Sequence, residues 1–211
     1  FEEGTMRLNV EKRIFHQEFV KEYRKLGFDY DIALLKLEKP VNLAGKNAPV
    51  PVCLPTTSDH DEYENITAVT VGWGRTQFRD STSGAPILQK LSVPIYSLDE
   101  CFEISGIPVS NRFICAGHQT KDKDIGKSDS GGPLLLEIDG RWVQIGVVSW
   151  GAGEVDGHVA SGFTRVTAFL TWILHHIDET SDADLLWCSE GAGEFKPDNS
   201  SELLELDTQL L

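Results

Sequence analysis

Short apolar runs alternate with turn-rich segments along most of the chain. Many of the apolar residues are β-branched or aromatic, and clusters of Gly, Pro, Asp and Ser, such as 80–86, separate the runs. Five of the runs are predicted to be strands: 32–37, 69–73, 91–95, 133–138 and 142–150. Regular short strands between turn signals indicate an all-β fold, either an antiparallel barrel or a sandwich.

One helix is predicted near the end of the patterned region. Val166, Leu170, Ile173 and Ile177 recur at spacings of 4, 3 and 4 residues, which places them on one helical face. The pattern ends near position 178. Residues 179–211 are acidic and lack core-forming periodicity, so we expect a mobile tail.

The charge excludes one class of partner. The chain has 211 residues and a formal net charge of -14, whereas phosphate binding needs clustered Lys and Arg, so nucleic acid is not an expected partner. Much of the acidity lies in the tail, which has eight acids and one lysine from residue 181 onward. No apolar run is long enough to span a bilayer.

The cysteines and sequons indicate an extracellular protein. None of Cys53, Cys101, Cys115 and Cys188 forms a Cys-x-x-Cys pair, so thiolate zinc or redox chemistry is not expected, while disulfides are. Sequons at Asn65 and Asn199 permit N-glycans in a secreted protein. The opening Phe1-Glu2-Glu3 does not read as a secretory leader.

The segment KSDSGGPL, residues 127–134, is a candidate for nucleophilic chemistry. A serine hydroxyl needs a general base, an orienting carboxylate and donors for the oxyanion before it can attack a carbonyl. The glycines after Ser130 would let a substrate backbone approach closely. On spacing alone, the segment is equally consistent with a simple turn.

A second segment supplies a candidate carboxylate. Asp31 stands at the mouth of the apolar run 32–37. Aspartate is also a common residue just before a strand, so Asp31 by itself does not establish a functional role.

Taken together, the motifs resemble the trypsin/chymotrypsin family of serine proteases. The matching segments follow that family's order: DIALLKL at 31–37, PVCLP at 51–55, GWG at 72–74, ICAG at 114–117, DSGGP at 129–133, VSWG at 148–151 and TRV at 164–166. The resemblance implies two packed six-stranded antiparallel barrels, the first incomplete here, with a C-terminal helix. It covers roughly residues 1–178.

The resemblance also implies roles for individual residues. Ser130 would be the nucleophile, Asp31 the partner of the base, and the backbone N–H groups of Ser128 and Ser130 the oxyanion hole. Ser149, Trp150 and Gly151 would line the bound substrate strand. Asp124 would lie at the floor of the primary pocket and select Lys or Arg side chains through charge-assisted hydrogen bonds.

The sequence departs from the family pattern at the general base, because the histidine that the family uses is missing. No Ala-Ala-His-Cys segment precedes Asp31, and we assign none of the histidines as the base: His16, His60, His118, His158, His175 and His176. His16 matches a surface-strand histidine of the family. We therefore expect that the chain begins inside the first barrel and is inactive as printed.

Further departures concern the oxyanion hole and the disulfides. Ser128 replaces a glycine, which implies backbone strain if the site needs a positive φ. Two family disulfides are absent as whole pairs, at Gly126 and near Glu154, and at Ala68 and Leu136. Cys101 and Cys115 keep the family's spacing and should be bonded.

The remaining cysteines and the ligand sites are less defined. Cys53 usually joins an upstream segment, and Cys188 is extra, so it would bond Cys53 or remain free. We expect no metal and no cofactor, and Met6 stands where some relatives have a calcium-binding acid.

The leading interpretation is a secreted endopeptidase that cleaves after Arg or Lys through an acyl-enzyme. Its partners would be protein or peptide substrates and protease inhibitors. The alternative is an inactive homologue that acts as a binding module or cofactor; an unrelated β-rich structural protein is a third.

Overall fold

Strands dominate the structure. It is a computed structural model that describes residues 6–19, 28–44, 48–56, 63–75, 84–118, 125, 127–155 and 158–177. The strands are β1 (Val10–Phe15), β2 (Ala33–Leu37), β3 (Thr67–Gly72), β4 (Gln89–Tyr96), β5 (Phe113–Ala116), β6 (Pro133–Ile138), β7 (Arg141–Val155) and β8 (His158–Arg165). The helices are α1 (Leu98–Ser105), a 3-10 turn (Thr167–Phe169) and α2 (Leu170–His176).

Six strands close into a barrel in the order β3-β4-β5-β8-β7-β6. In β4 the buried residues Leu91, Val93 and Ile95 alternate with outward-facing neighbours, so one face of the strand points into the barrel. Ile145 and Phe163 meet them there from β7 and β8. Closure leaves the barrel without an open sheet edge. The predicted all-β barrel fold is confirmed.

The first barrel is represented by an antiparallel pair of strands. Ile14 of β1 pairs with Leu34 of β2, and Phe15 pairs with Ala33. Leu34 packs on the cluster around α2, whereas Phe15 and Leu35, on the opposite face, are 56% and 59% exposed. Among the described residues, the two-stranded sheet is therefore covered on one side and open on the other, where Phe15 and Leu35 lie beside Arg13.

Helix α2 supports this sheet. Leu170 and Ile173, from the predicted stripe, are buried beside Val166 and Phe169. The first turn is a 3-10 turn, and the helix ends at His176 because Ile177 is extended. The predicted helix is thus present, and its packing ties the second barrel to the β1–β2 sheet.

Helix α1 and a disulfide hold the strand β5 in place. Ser97 and Glu100 form a reciprocal capping box, in which each side chain accepts from the other's backbone N–H, at 3.2 and 2.8 Å. These hydrogen bonds favour the carboxylate and lower the pKa of Glu100. Cys101 is bonded to Cys115 across the helix–strand contact, as predicted.

We expect removal of this disulfide to destabilise the second barrel. A cross-link between residues 14 positions apart reduces the conformational entropy of the unfolded chain and raises its free energy by about 3 kcal/mol. The double variant Cys101→Ala/Cys115→Ala should therefore melt about 6–12 °C lower, measured by circular dichroism. Ser92→Ala, at an exposed β4 position, is the control; equal melting temperatures for the double variant and the parent would contradict this.

Cys53 is also disulfide-bonded. The partner of that bond lies outside the described residues, as does Cys188. A link from Cys53 to an upstream chain, and the pairing of Cys188, stay predictions.

Candidate active site

Asp31 is held at the junction between the β1–β2 sheet and the second barrel. Its Oδ2 accepts a hydrogen bond from Ser149 Oγ at 2.7 Å, and its backbone carbonyl accepts one from Thr164 Oγ1, also at 2.7 Å. Asp31 is half-buried. The two strands β7 and β8 therefore fix both the carboxylate and the backbone of this residue. Thr164 was not singled out from the sequence, although the TRV motif contains it.

The segment before Asp31 is anchored to the loop before β5. Ser110 Oγ donates to Asp29 Oδ1 at 2.7 Å, and Arg112 Nη1 donates to Asp29 Oδ2 at 3.3 Å. Tyr30, between the two aspartates, has a φ of 64°. Asp29 and Asp31 thus contact different parts of the second barrel, which limits movement of the Asp31 carboxylate. This anchor leaves no signal in the sequence, because Asp29 lies 81 residues from Ser110 and 83 from Arg112 along the chain.

The Ser130 loop lies along the same strand that holds Asp31. Gly131 N donates to Val148 O, and Val148 N donates to Gly132 O, both at 2.9 Å. Val148 precedes Ser149 in β7. Ser130 is exposed and directly precedes Gly131. The structure therefore places the loop carrying Ser130 one residue along β7 from the partner of Asp31.

Asp129 anchors the base of this loop. It is 8% exposed, and its Oδ1 accepts a hydrogen bond from Gly74 N at 2.7 Å. A Cβ atom on Gly72 or Gly74 would lie 1.9 or 2.2 Å from the Asp129 carboxylate oxygens. Both glycines of the GWG motif are thus needed for the close approach of this side chain. The loop is fixed by a buried carboxylate next to Ser130.

Ser128 adopts the backbone conformation that the family's glycine suggests. Its φ is 83°, where a residue with a Cβ is strained by about 1–3 kcal/mol. In the described part of the chain, the N–H groups of Ser128 and Ser130 do not donate to other backbone groups. Both amides are in an exposed loop. Serine at position 128 therefore does not prevent the left-handed geometry, which it holds at an energetic cost.

Trp150 and Gly151 follow Ser149 on β7. Trp150 is 8% exposed and its ring meets Phe113 edge-on, with centroids 6.1 Å apart. A Cβ on Gly162 would lie 2.1 Å from this ring, so β8 needs a glycine there. The Trp150 side chain belongs to the core, while Gly151 is exposed. A role for either in lining the substrate strand stays a prediction.

Asp124 lies outside the described residues, and so does Gly126. The structure therefore does not place the predicted floor of the primary pocket. The described neighbour Ile125 packs against the barrel core.

His16 is a buried residue, so the expectation of a surface position is wrong. It is 6% exposed and its ring lies 4.9, 5.4 and 5.1 Å from those of Tyr30, Phe169 and Trp172. Its Nδ1 accepts a hydrogen bond from Glu18 N at 3.2 Å, which requires an unprotonated nitrogen. Burial is the main cause that lowers the pKa of His16. This histidine is a structural group held neutral among aromatic rings.

We expect His16 to make the folded state sensitive to acid. Since its folded pKa lies below 6.5, the unfolded chain binds the proton first as the pH falls. Neutral His16 therefore stabilises the fold fully above the unfolded pKa of 6.5. This stabilisation is lost as the pH falls from 6.5 towards the lower folded pKa. Urea unfolding at pH 7.5 and pH 5 should show a larger loss for the parent than for His16→Phe, which cannot titrate. His175→Gln, on an exposed helical position, is the control, and a His16→Phe profile parallel to that of the parent would contradict this.

No histidine ring in the described part of the chain hydrogen-bonds the Asp31 carboxylate. His175 and His176 lie on α2, and His176 Nδ1 lies 2.8 Å from the carbonyl of Trp172. His60 lies outside the described residues, as does the side chain of His158. Among the described side chains, the arrangement thus supplies a fixed carboxylate and a serine loop, without an imidazole between them.

The described residues contain no group of three or more His, Cys, Asp or Glu side chains suited to hold a metal ion. None of their helices has the length and apolar character required to cross a membrane.

Comparisons with known proteins agree with the fold and the motifs. The sequence model of the family named Trypsin matches residues 1–173. The chain is 36% identical over 174 residues to serine proteinase stubble of Drosophila melanogaster, covering 80% of this chain and 21% of that protein. It is 32% identical over 189 residues to vitamin K-dependent protein C of Oryctolagus cuniculus, covering 86% and 40%. Transmembrane protease serine 7 of Mus musculus is 36% identical over 168 residues, with 79% and 20% covered.

The chain thus spans about a fifth to two fifths of the length of these relatives. The family match covers β1–β8, the Asp31 segment and the Ser130 loop. The chain belongs to the trypsin family of serine proteases.

Proposed function

We propose that this chain contributes the nucleophile and the carboxylate of a serine-type endopeptidase. The observation that carries the proposal is the 2.7 Å hydrogen bond between Asp31 and Ser149 of β7. The preceding residue of β7, Val148, is hydrogen-bonded to the loop that carries Ser130. A triad needs its acid and its nucleophile fixed on either side of one imidazole. Here Asp31 is hydrogen-bonded to Ser149, and the glycines that follow Ser130 are hydrogen-bonded to the adjacent Val148 of β7.

In this mechanism Ser130 Oγ attacks the carbonyl carbon of the substrate. Its proton passes to an imidazole, which Asp31 orients and whose positive charge it stabilises. The N–H groups of Ser128 and Ser130 donate to the oxyanion. The imidazole returns the proton to the leaving amine, and water then releases the acyl group from Ser130.

The imidazole would come from polypeptide outside the printed sequence, packed on the open face of the β1–β2 sheet. Large apolar side chains are exposed on that face, Phe15 and Leu35 among them. Apolar residues arranged on one sheet face normally meet a second layer. We call a polypeptide that joins this chain to such histidine-bearing strands the completed polypeptide.

Asp124 is proposed as the specificity residue, which makes cleavage after Arg or Lys the expected preference. The proposal rests on its position six residues before Ser130 in the family pattern. A carboxylate at the floor of the pocket would pair with a guanidinium or ammonium group.

We expect Asp124→Ala to remove this preference. Loss of one partner of a buried charge pair costs about 2–5 kcal/mol, so kcat/KM for an arginyl anilide should fall about 30- to 5,000-fold. Hydrolysis of a leucyl anilide by the completed polypeptide should change much less. Asp122→Ala, in the same segment of alternating Lys and Asp at 121–124, is the matched control. Equal losses on both substrates, or no loss on either, would contradict the specificity proposal.

An inactive homologue that serves as a binding module or cofactor is the second candidate. Ser128, strained at a φ of 83°, favours it, because relaxation of that strain would displace its N–H group, and the loss of one oxyanion donor costs about 100- to 1,000-fold in rate. The intact DSGGP segment and the fixed Asp31 favour the enzyme. A completed polypeptide that binds benzamidine but hydrolyses no arginyl substrate would support the inactive homologue.

The setting of this activity is proposed to be extracellular, with protein or peptide substrates and protease inhibitors as partners. Asn65 is exposed in a turn at the first sequon, where an N-glycan could be attached; Asn199 lies outside the described residues. Residues 1–178 would form the protease domain and 179–211 an acidic tail.

A further inference from the structure

The segment that contains Cys53 runs beside the start of β7. Cys53 N donates a hydrogen bond to the Trp142 carbonyl at 3.1 Å, and Gln144 N donates one to the Cys53 carbonyl at 2.9 Å. The Cys53 side chain is 5% exposed and belongs to the same buried cluster as Val143. The second barrel therefore fixes both the backbone and the side chain of Cys53.

Cys53 is disulfide-bonded, and the other cysteines limit the choice of its partner. The chain has four cysteines, none of those that the structure describes is free, and Cys101 is bonded to Cys115. Within one chain, Cys188 is thus the remaining cysteine that can form the bond of Cys53. A bond to another polypeptide, or to Cys53 of a second copy, is the alternative that an experiment has to exclude.

The end of α2 and the Cys53 segment lie against the same group of buried residues. Leu54, which follows Cys53, and Ile177, the last residue that the structure describes, both pack on this group. Its members are Val166, Phe169, Leu170 and Ile173. Eleven residues lead from Ile177 to Cys188. An extended segment of that length spans about 36–40 Å, more than the roughly 30 Å diameter of a small domain, so Cys188 can reach Cys53 without movement of α2.

The residues before Cys188 match the surface around Cys53. The run Leu-Leu-Trp at 185–187 directly precedes Cys188, in a chain end that is otherwise mostly polar. The described surface beside Cys53 includes Val50 and Trp142, which are 81% and 41% exposed. An apolar run laid on these side chains would remove apolar surface from water on both partners. The disulfide and the apolar run therefore direct the same short segment to the same surface.

We propose that residues 185–188 dock on the surface around Cys53 and are held there by a Cys53–Cys188 disulfide; we call this segment the strap. Formation of the bond removes two protons and two electrons from the two thiols. A small-molecule disulfide such as oxidised glutathione accepts them and becomes two thiols. The strap ties the end of α2 to the second barrel, so the predicted mobile tail would begin after Cys188.

The strap has a consequence for the upstream polypeptide. Because Cys53 is bonded within its own chain, it is not available for a disulfide to an upstream segment. Any upstream segment would then be held to this domain by noncovalent contacts or by the continuous chain alone.

Mass spectrometry of the full chain, digested without reduction, tests the bond. A linked pair of peptides that contain Cys53 and Cys188 should be found, and reduction should separate them. The completed polypeptide should give the same pair, whatever cysteines its added strands carry. A Cys53 bonded to a second copy, to glutathione or to the added strands, or present as a free thiol, would overturn the strap.

The docking of the apolar run is tested by how strongly it favours the bond. In a glutathione redox buffer, the fraction of bonded Cys53, measured by thiol alkylation and mass spectrometry, gives the effective concentration of Cys188 at Cys53. A short flexible linker gives an effective concentration of about millimolar. The docked run should raise this value at least about tenfold, and a parental value in the millimolar range would overturn the docking.

A matched pair of double variants identifies the residues that dock. Leu185→Ser/Leu186→Ser should lower the effective concentration at least about tenfold, because it removes most of the apolar run. Leu203→Ser/Leu204→Ser makes the same change at the other Leu-Leu pair after residue 178 that is followed by a charged residue, and should stay within about twofold of the parent. Equal values for the two double variants would overturn the docking. The printed chain is sufficient for these measurements, so they do not depend on whether Ser130 is catalytic.

Discussion

Replacement of Ser130 by alanine should abolish peptide hydrolysis by the completed polypeptide. The Ser130 oxygen is the atom that would form the acyl-enzyme, so the substitution removes the group that forms the bond to the substrate. Loss of the nucleophile in triads of this kind lowers kcat on the order of 10⁶-fold. Initial rates with an arginyl anilide, measured at saturating substrate, give this value.

Two further measurements separate catalysis from folding in that variant. Ser130 is exposed, so the melting temperature and benzamidine binding should be close to those of the parent. Ser92→Ala makes the same chemical change at an exposed position on β4 and should keep full activity. A Ser130→Ala variant with even a tenth of the parental kcat would exclude Ser130 as the nucleophile.

Asp31→Asn should have the second-largest effect, a fall in kcat of about 10⁴-fold with little change in KM, as for other triads of this family. An amide can still accept the hydrogen bond from Ser149, so the position of the side chain should be kept. It carries no charge to stabilise an imidazolium and no longer fixes the tautomer that accepts the serine proton. The loss should therefore appear in the chemical step.

Asp29→Asn is the matched control for this substitution. Asp29 is two residues away and contacts Ser110 and Arg112 instead of Ser149. It should alter stability and leave kcat within about tenfold, since it acts only by holding the segment. If both asparagine variants lost the same activity, Asp31 would have no special role beyond that of its neighbour.

The part of the fold that could be predicted from the sequence is the part with continuous apolar runs. β6 was predicted at its observed bounds, and β4 and β7 were placed within a few residues of theirs. These strands face the barrel interior, so burial enriches them in apolar residues. β1 has charged and mostly exposed positions and therefore gives no such signal.

Other elements depend on contacts that a linear pattern does not contain. β5 is four residues long and wholly buried, so it lacks alternation. In β8, Gly162 breaks the apolar pattern because the Trp150 ring fills the space that a Cβ would need. Helix α1 was not predicted, because the prediction used only the apolar pattern. The capping box of Ser97 and Glu100 would have indicated where this helix begins.

The same division applies to the candidate site. The Ser130 loop and Asp31 were recognised because each belongs to a local motif. The hydrogen bonds that anchor Asp31 could not be predicted from the sequence, since Ser149 and Thr164 are 118 and 133 residues away along the chain. The burial of His16 likewise results from Tyr30, Phe169 and Trp172, which come together only in the folded protein.

Mass spectrometry of the completed polypeptide after reaction with an arginyl phosphonate diphenyl ester tests whether Ser130 is a nucleophile activated with the help of Asp31. Such an ester phosphonylates a serine only where a base, an oxyanion site and a pocket for the arginyl group are assembled. We expect one covalent adduct, on Ser130, whose formation is slowed strongly by Asp31→Asn and only weakly by Asp29→Asn. An adduct on another residue, or no adduct in a folded protein that still binds benzamidine, would contradict it.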